Sequence, residues 1–213
     1  IRKAFGPVEK GNLLLCADYS QIELIILAHI SGDKGLQAAF SSGEDIHRKT
    51  ASEVFGIPFE EVDKEHRRAA KAVNFGIIYG ISDFGLARDL NISIGEAREY
   101  IERYFSRYPK VREWIDRILL EARETLKVYT LSGRYRLLPD LKSSQFMVRS
   151  GAERMAMNAP IQGTAADMIK LAMIQVAKRL DQEGCKARLM LQVHDELILE
   201  VPPVEMDQIK DLV

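Results

Sequence analysis

Two apolar runs typical of β-strands lie at opposite ends of this 213-residue chain, and each leads into an acidic side chain. The first run, LLLCA, ends at Asp18. The second, LMLQV, ends at His194 and Asp195, after which ELILEV continues the strand pattern. Helical patterns fill most of the chain between them. The strands from the two ends must therefore meet in one sheet, with the helices forming a separate lobe and a backing layer, which predicts an α+β fold.

The composition is that of an ordinary globular domain, with 46% hydrophobic and 29% charged residues. A formal net charge of −1 excludes a nucleic-acid binder held by bulk positive charge, but it allows local basic patches. No apolar stretch reaches the roughly 18 residues of a membrane span. Cys16 and Cys185 lie in apolar runs, which predicts reduced core thiols in a cytoplasmic protein.

The chain has no initiator Met and no signal-peptide core, and its last residues stop within a helical pattern, so we expect it to be a segment of a longer protein. Between the strands, Ser132-Gly133 predicts a hairpin turn. Capping residues, apolar periodicity and glycine or proline stops predict the helices. These cover 20–30, 45–55, 64–80, 93–108, 110–127, 144–158 and 164–183.

The acids at the strand ends are the first candidate site. Taken singly, Asp18 or Asp195 is readily explained as a turn former or a helix cap. However, Asp18 directly follows an apolar run and has no cation next to it in the sequence. Asp195 and Glu196 are two adjacent acids within an apolar hairpin. Carboxylates brought together repel, and a divalent cation relieves the repulsion. Oxygen ligands without Cys or His favour Mg²⁺ or Mn²⁺, so we predict a two-metal site.

His194-Asp195 also resembles the sequence of a histidine–aspartate metal hydrolase site. Such a site needs further His and Asp ligands at helical spacing. The other histidines, at 29, 47 and 66, are scattered and lack that spacing, which argues against this class.

A second candidate site lies on the helix predicted over 64–80. Arg67, Lys71, Phe75 and Tyr79 recur every four residues and share one slowly turning face. Arg and Lys bind phosphates, and aromatic rings offer a flat surface for a base or sugar, so the face suits a nucleoside triphosphate. The alternative is a solvated basic helix end with both aromatic rings in the core. Gly76 and Gly80 (both costly in a helix) indicate close approach of another segment or a bend.

Glu23 is the one acid in the apolar segment SQIELIILAHI, and two interpretations of it stay open. It could form a capping box with Ser20, or it could occupy the space beside C2′ of a bound nucleotide.

A polar stripe follows in the segment 152–167. Arg154, Asn158 and Gln162 are spaced by four, which suits one edge facing a nucleic-acid duplex or a plain polar surface. Pro160 interrupts the helical pattern, so the spacing alone does not align Gln162 with the other two residues.

These segments together carry a family resemblance over essentially the whole chain. DYSQIEL at 18–24, RRAAKAVNFGIIYG at 67–80 and QVHDEL at 192–197 resemble motifs A, B and C of family A (Pol I-type) DNA polymerases, and AERMAMNAPIQGTAAD at 152–167 is similar to the same family. The resemblance implies a right-hand polymerase with an antiparallel palm sheet and helical fingers. It places palm at 1–44, fingers at 45–140 and palm at 141–213, without thumb, exonuclease region or extreme C-terminus.

The resemblance also implies roles for individual residues and a cofactor of two Mg²⁺ ions, which Mn²⁺ can replace. The implied partners are primer-template DNA and a dNTP. The protein would be a monomer without membrane contact. The metal ligands would be Asp18, Asp195 and the Tyr19 carbonyl, with Glu196 and Lys71 assisting catalysis. The nucleotide-binding residues would be Tyr19, Gln21, Glu23, His47, Arg67, Lys71, Phe75 and Tyr79. The primer-template contacts would be Arg154, Asn158, Gln162 and His194.

One position departs from the family pattern. Position 25 is Ile, where the family usually has Arg directly after DYSQIEL. In a helix read as buried, this predicts altered packing beneath motif A.

The sequence therefore predicts DNA-templated nucleotidyl transfer to a primer 3′-hydroxyl with release of pyrophosphate, in replication or repair, with weak activity for the isolated segment. Two other hypotheses remain open. One is a two-metal nuclease that uses the same carboxylates on water, and the other is a segment that only binds nucleic acid.

Overall fold

The computed structural model describes residues 6–213, so the first five residues of the predicted palm segment 1–44 lie outside it. The strands are β1 (Leu13–Asp18), β2 (Lys127–Tyr129), β3 (Tyr135–Leu137), β4 (Arg188–Val193) and β5 (Glu196–Val201). The helices are α1 (Ile22–Ser31), α2 (Lys34–Ser41), α3 (Ile46–Phe55), α4 (Lys64–Ile78), α5 (Asp83–Leu90), α6 (Ile94–Arg107), α7 (Pro109–Thr125), α8 (Phe146–Gln182) and α9 (Met206–Leu212).

The predicted meeting of the two chain ends is confirmed by the larger sheet. Its strand order is β1-β5-β4, with antiparallel pairing throughout. The β1–β5 register runs from Leu13 opposite Val201 to Asp18 opposite Glu196. Leu197, Leu199 and Val201 of the central strand are buried. The α+β class predicted from the sequence is confirmed.

The described chain forms two compact units. The first consists of the residues up to Ile22 together with Ala165–Val213, and it contains the β1-β5-β4 sheet. The second is Glu23–Thr164, which contains most of the helices and the β2–β3 hairpin around Ser132-Gly133. The palm and fingers boundaries at residues 44 and 140 stay predictions. Within residues 6–213, no helix has both the length and the apolar character needed to cross a bilayer.

Local capping explains where several helices begin and end. Ser93 and Glu96 form the predicted capping box at the start of α6, with both halves of the reciprocal hydrogen bonding present. Gly56 ends α3 in the left-handed conformation, at φ 70°. The short helices α2 and α5 were not predicted. Asp33 and Ser82 cap them by accepting hydrogen bonds from the backbone N–H groups of Leu36 and Gly85.

The prediction of separate helices at 144–158 and 164–183 is wrong, because α8 runs without a break through Pro160. Proline removes one helical hydrogen bond and crowds the preceding turn. Here, burial of Ala156 and Ile161 on either side favours the continuous helix. The hydroxyl of Thr164 donates to the Pro160 carbonyl at 2.6 Å, which gives that carbonyl a further partner.

Three predictions about burial are also wrong. Cys16 is exposed and Cys185 only half-buried, so they are not core thiols. Asp18 likewise leaves a partly exposed strand rather than a buried one, because within residues 6–213 β1 is an edge strand that pairs with β5 alone. The expectation that Ile25 alters packing beneath motif A is also wrong, because this residue is not buried. Its side chain is 46% exposed, on the outer side of α1.

Candidate active site

In the first unit, the sheet brings the two predicted acids together. The backbone N–H of Tyr19, directly after Asp18, donates to the Asp195 carbonyl at 3.1 Å. Asp18 is also the register partner of Glu196, so their side chains lie on the same face of the β1–β5 pair. The spatial convergence inferred from the sequence is therefore present, and it follows directly from antiparallel pairing of strands from opposite ends of the chain.

The backbone is strained on both sides of this acidic cluster. His194, between β4 and β5, has φ 56°, and Gln21, just before α1, has φ 60°. Residues other than glycine rarely adopt this left-handed conformation, which costs about 1–2 kcal/mol. The side-chain amide of Gln192 donates to the His194 carbonyl at 2.9 Å and helps to hold the turn. The fold thus maintains unfavourable backbone at both segments that carry the candidate ligands.

The oxygen atoms in this cluster suit a hard divalent cation. Asp18 is exposed, whereas Asp195 and Glu196 are half-buried. The Tyr19 carbonyl accepts one long hydrogen bond, 3.3 Å from the Ile22 N–H, which leaves a lone pair for a ligand. No cluster of three or more His, Cys, Asp or Glu side chains with metal-binding geometry occurs in residues 6–213. The predicted ligand set of two carboxylates and one carbonyl consists of hard oxygen donors, the type that Mg²⁺ and Mn²⁺ prefer.

In the second unit, α4 presents the predicted four-residue stripe on its accessible side. Arg67 and Phe75 are half-buried and Lys71 is exposed, while Tyr79 caps the helix with 38% of its surface exposed. The opposite side of α4 is buried, through Ala70, Val73, Asn74 and Ile77. The alternative interpretation, with both aromatic rings in the core, does not hold. The Phe75 and Tyr79 rings are stacked, with an interplanar angle of 16° and centroids 6.4 Å apart.

Two cations lie on this face with different partners. Arg67 Nε pairs with Asp45 Oδ2 at 2.7 Å. Burial opposes ionisation of Asp45, but hydrogen bonds from Arg67 and from the N–H of Arg48 lower its pKa overall. Within the described residues Lys71 has no carboxylate partner, and its ammonium lies 5.8 Å from the Phe75 ring centroid. Lys71 is therefore the cation on this face that is most accessible to an anionic ligand.

His47 lies on α3, behind these cations. Its side chain is 2% exposed, its ring lies 5.8 Å from that of Phe75, and Asn74 contacts its Nδ1 at 3.1 Å. The pKa of His47 is lowered to about 4, chiefly because the ring is buried; the charge of Asp45 raises it, and the charges of Arg67 and Lys71 contribute to lowering it. The imidazole is therefore neutral at physiological pH.

Glu23 has a specific partner in this structure. The Tyr79 hydroxyl donates to Glu23 Oε2 at 2.7 Å, which ties the end of α4 to the first turn of α1. The capping box between Ser20 and Glu23 is wrong, because α1 begins at Ile22 and puts Glu23 one residue too early for that role. The Ser20 hydroxyl instead points to Asp18 Oδ2, at 3.5 Å.

The predicted polar edge lies on a continuous stretch of α8, so Arg154, Asn158 and Gln162 share one side of that helix. Arg154 bonds to Ser150 Oγ at 3.1 Å, and Gln162 is exposed beside a cavity of about 320 Å³. Asn158 Oδ1 is buried and lacks a hydrogen-bond partner within the described part of the chain. The accessible polar groups of this edge are therefore those of Arg154 and Gln162, and the role of the edge in nucleic-acid contact stays a prediction.

Glycines at the end of α4 allow close packing, as the sequence suggested. A Cβ at Gly76 would lie 2.6 Å from Ile81 Cγ2, and one at Gly80 would collide with Met157. Gly80 also has φ 64°. Both positions therefore need glycine for space, and Gly80 needs it for backbone conformation as well.

Two residues of this site were not identified from the sequence. Asp45 was read only as the start of a helix, yet it also holds Arg67. Asn74 was not considered at all. The signal for Asn74 was present, since it is a polar residue on the side of α4 that otherwise carries Ala70, Val73 and Ile77.

Comparison with known proteins decides the family. The family model for DNA polymerase family A matches residues 1–213. The chain belongs to DNA polymerase family A. This family A chain is 54% identical to DNA polymerase I of Caldicellulosiruptor bescii, and the match covers 100% of this chain and 25% of that protein. It is 56% identical to DNA polymerase I of Bacillus caldotenax, and that match covers 100% of this chain and 24% of that protein. The family A chain thus spans about a quarter of these curated relatives.

A solved structure gives the same family A fold. The POL domain of Pol1 from M. smegmatis, in complex with DNA primer-template and dNTP, superposes with a TM-score of 0.93 at 47% identity. The match covers 97% of this family A chain and 36% of that chain.

Proposed function

We propose that this chain supplies the catalytic carboxylates and the nucleotide-binding helix of a DNA-directed DNA polymerase. The reaction is transfer of a nucleotide from a dNTP to a primer 3′-hydroxyl, with release of pyrophosphate. The observation that carries this proposal is the convergence of Asp18 and Asp195 at one end of the β1–β5 pair, in a chain of family A.

Asp18, Asp195 and the Tyr19 carbonyl would hold the divalent metal, with Glu196 beside them. Two Mg²⁺ or Mn²⁺ ions bound there would lower the pKa of the primer hydroxyl and neutralise the triphosphate. The strained turns at Gln21 and His194 fix the backbone that carries these ligands, so the carboxylates need little rearrangement to bind.

The α4 face would bind the nucleotide. Lys71 and Arg67 stabilise charge that develops on the departing pyrophosphate. Neutral His47 donates a hydrogen bond to the phosphates. Phe75 and Tyr79 offer stacked rings to the sugar and base.

Glu23 would discriminate deoxyribose from ribose. Its hydrogen bond from Tyr79 holds the carboxylate in one position, where it occupies the space a 2′-hydroxyl needs. Arg154, Asn158, Gln162 and His194 would contact the primer-template. We further propose that the protein is monomeric and acts in the cytoplasm in replication and repair, because the similar relatives include bacterial DNA polymerase I proteins.

The test is a primer-extension assay on the intact protein with Mg²⁺, dNTPs and a labelled primer annealed to a template. Extension supports the proposal. Shortening of the primer would favour the two-metal nuclease, and binding without change in length would favour a nucleic-acid-binding role.

A further inference from the structure

Three polar side chains are buried together between α3 and α4. His47, Thr50 and Asn74 are 2%, 0% and 0% exposed. Buried polar groups destabilise a fold unless hydrogen bonds satisfy them. Asn74 lies mid-helix on the buried side of α4, which otherwise carries apolar residues such as Val73 and Ile77. What these three side chains can do therefore depends on the hydrogen bonds among them.

The hydrogen bonds within this network have a defined direction. Asn74 Nδ2 lies 3.1 Å from His47 Nδ1 and 3.0 Å from Thr50 Oγ1, and Thr50 Oγ1 is 3.2 Å from Asn74 Oδ1. An amide NH₂ group only donates, so His47 Nδ1 is the acceptor. In a neutral imidazole the proton then resides on Nε2.

We propose that Asn74 is a positioning residue that holds His47 as the neutral Nε2–H tautomer, so that the imidazole presents a hydrogen-bond donor to a phosphate oxygen of the bound nucleotide. This inference rests on the proposed polymerase function. Asn74 does not itself reach the substrate in this account. It acts through His47, and Thr50 in turn orients the Asn74 amide.

The surroundings of His47 are consistent with such a role. Asp45 on its own helix and Arg67 and Lys71 on α4 are the charged groups that act on it. Because two cations already face this region, a third positive charge would be repelled. A neutral N–H donor can orient a phosphate oxygen through a directional hydrogen bond without that repulsion. The contact with the Phe75 ring, tilted by 42°, restricts the imidazole from the other side.

The first measurement reads the tautomer in the unsubstituted protein, and a substitution serves only to assign the signal. Nitrogen-15 NMR of histidine-labelled intact protein reports the tautomer, with the His47 signal assigned by its loss in His47→Gln. We expect an Nε2–H signal at pH 7. An Nδ1–H signal overturns the proposal, whether or not the protein extends primers, so failure here is separable from failure of the polymerase function.

The second measurement is Asn74→Asp, a nearly isosteric change that replaces the donor with an acceptor. The carboxylate should draw the proton to Nδ1 and favour protonation of His47. We expect KM for dNTP to rise about tenfold at pH 8, the effect of losing one charge-assisted hydrogen bond. The ratio of variant to unsubstituted KM should fall as pH decreases towards 6.5, because imidazolium donates from both nitrogens.

Asn91→Asp, at the exposed end of α5, serves as the matched control and should leave KM unchanged at both pH values. A KM ratio for Asn74→Asp that does not vary with pH would show a merely structural role and overturn the proposal. If Asn74→Asp fails to fold, the tautomer measurement on the unsubstituted protein decides the question.

Discussion

The Tyr79 hydroxyl donates a 2.7 Å hydrogen bond to the carboxylate of Glu23, so the ring that ends α4 also fixes the acid at the start of α1. Tyr79 is in turn stacked on Phe75. One tyrosine thus links the aromatic surface proposed for the nucleotide to the acid proposed to discriminate its sugar.

Removing that hydroxyl should weaken sugar discrimination. For Tyr79→Phe we expect the preference for dNTP over rNTP to fall about five- to tenfold, because Glu23 is no longer held in one position. Glu23→Ala should have the larger effect, since it removes the blocking group itself. Competitive primer extension with matched dNTP and rNTP measures both. Tyr135→Phe, on the exposed hairpin, is the control, and an equal loss of discrimination there would contradict the assignment.

The adjacent residues Arg67 and Arg68 on α4 allow a phosphate-binding cation to be compared with a surface cation. Arg67→Ala should lower kcat/KM for dNTP at least tenfold, because a phosphate-binding charge is lost. Lys71→Ala should do the same, with a larger effect on kcat. Arg68→Ala should change kcat/KM less than twofold, since Arg68 is 67% exposed and pairs with Glu65 on the surface. Similar losses for Arg67→Ala and Arg68→Ala would point to bulk charge instead of a specific site.

The buried imidazole makes stability depend on pH. The pKa of His47 is lowered to about 4 in the folded protein, chiefly by burial, from 6.5. Between these values the unfolded chain binds a proton that the folded chain does not, so this contribution is complete above pH 6.5 and declines as pH falls towards 4. Between pH 7 and 5 we expect a loss of about 2 kcal/mol in unfolding free energy.

Urea unfolding of the intact protein and of His47→Gln at the two pH values isolates this contribution. His47→Gln should show a smaller loss, whereas the exposed His29→Gln should keep the loss seen without substitution. Identical losses in all three proteins would show that His47 does not become protonated on unfolding in this range.

The end of α4 should tolerate no side chain at position 80. Gly80→Ala places a methyl group against Met157 at a backbone φ of 64°, and we expect a destabilisation of about 2–4 kcal/mol. Gly133→Ala shares the positive φ, at 85°, but its Cβ meets nothing within 4 Å. Its destabilisation should be about 1 kcal/mol. Thermal unfolding measures the difference, and equal effects would mean that Met157 moves aside freely.

The elements that the sequence predicted well are those with strong local signals. The β4–β5 hairpin has two apolar arms, and Ser93 with Glu96 forms a complete capping box. The meeting of β1 with β5 was predictable because few strand-like runs were available to pair. The four-residue spacing on α4 placed Arg67 and Lys71 correctly on one accessible side.

What the sequence did not reveal depends on tertiary packing. Pro160 reads as a break, but burial of its neighbours keeps α8 continuous. The sequence left Glu23 open between a helix cap and a residue beside the nucleotide sugar, and only the fold brings Tyr79 to it. Asn74 looks like an ordinary helical residue until α3 packs against α4 and buries it beside His47. In each case a contact distant in sequence overrides the local preference.

We propose that Asp18 and Asp195 together bind the metal used in nucleotidyl transfer. The direct test is single-turnover primer extension by Asp195→Asn, with primer-template binding measured in parallel. Asp207→Asn is the surface control, because the Asp207 side chain is 97% exposed. We expect extension by Asp195→Asn to fall at least a thousandfold while primer-template affinity changes less than threefold and Asp207→Asn stays fully active. Extension by Asp195→Asn at the unsubstituted rate would contradict the proposal.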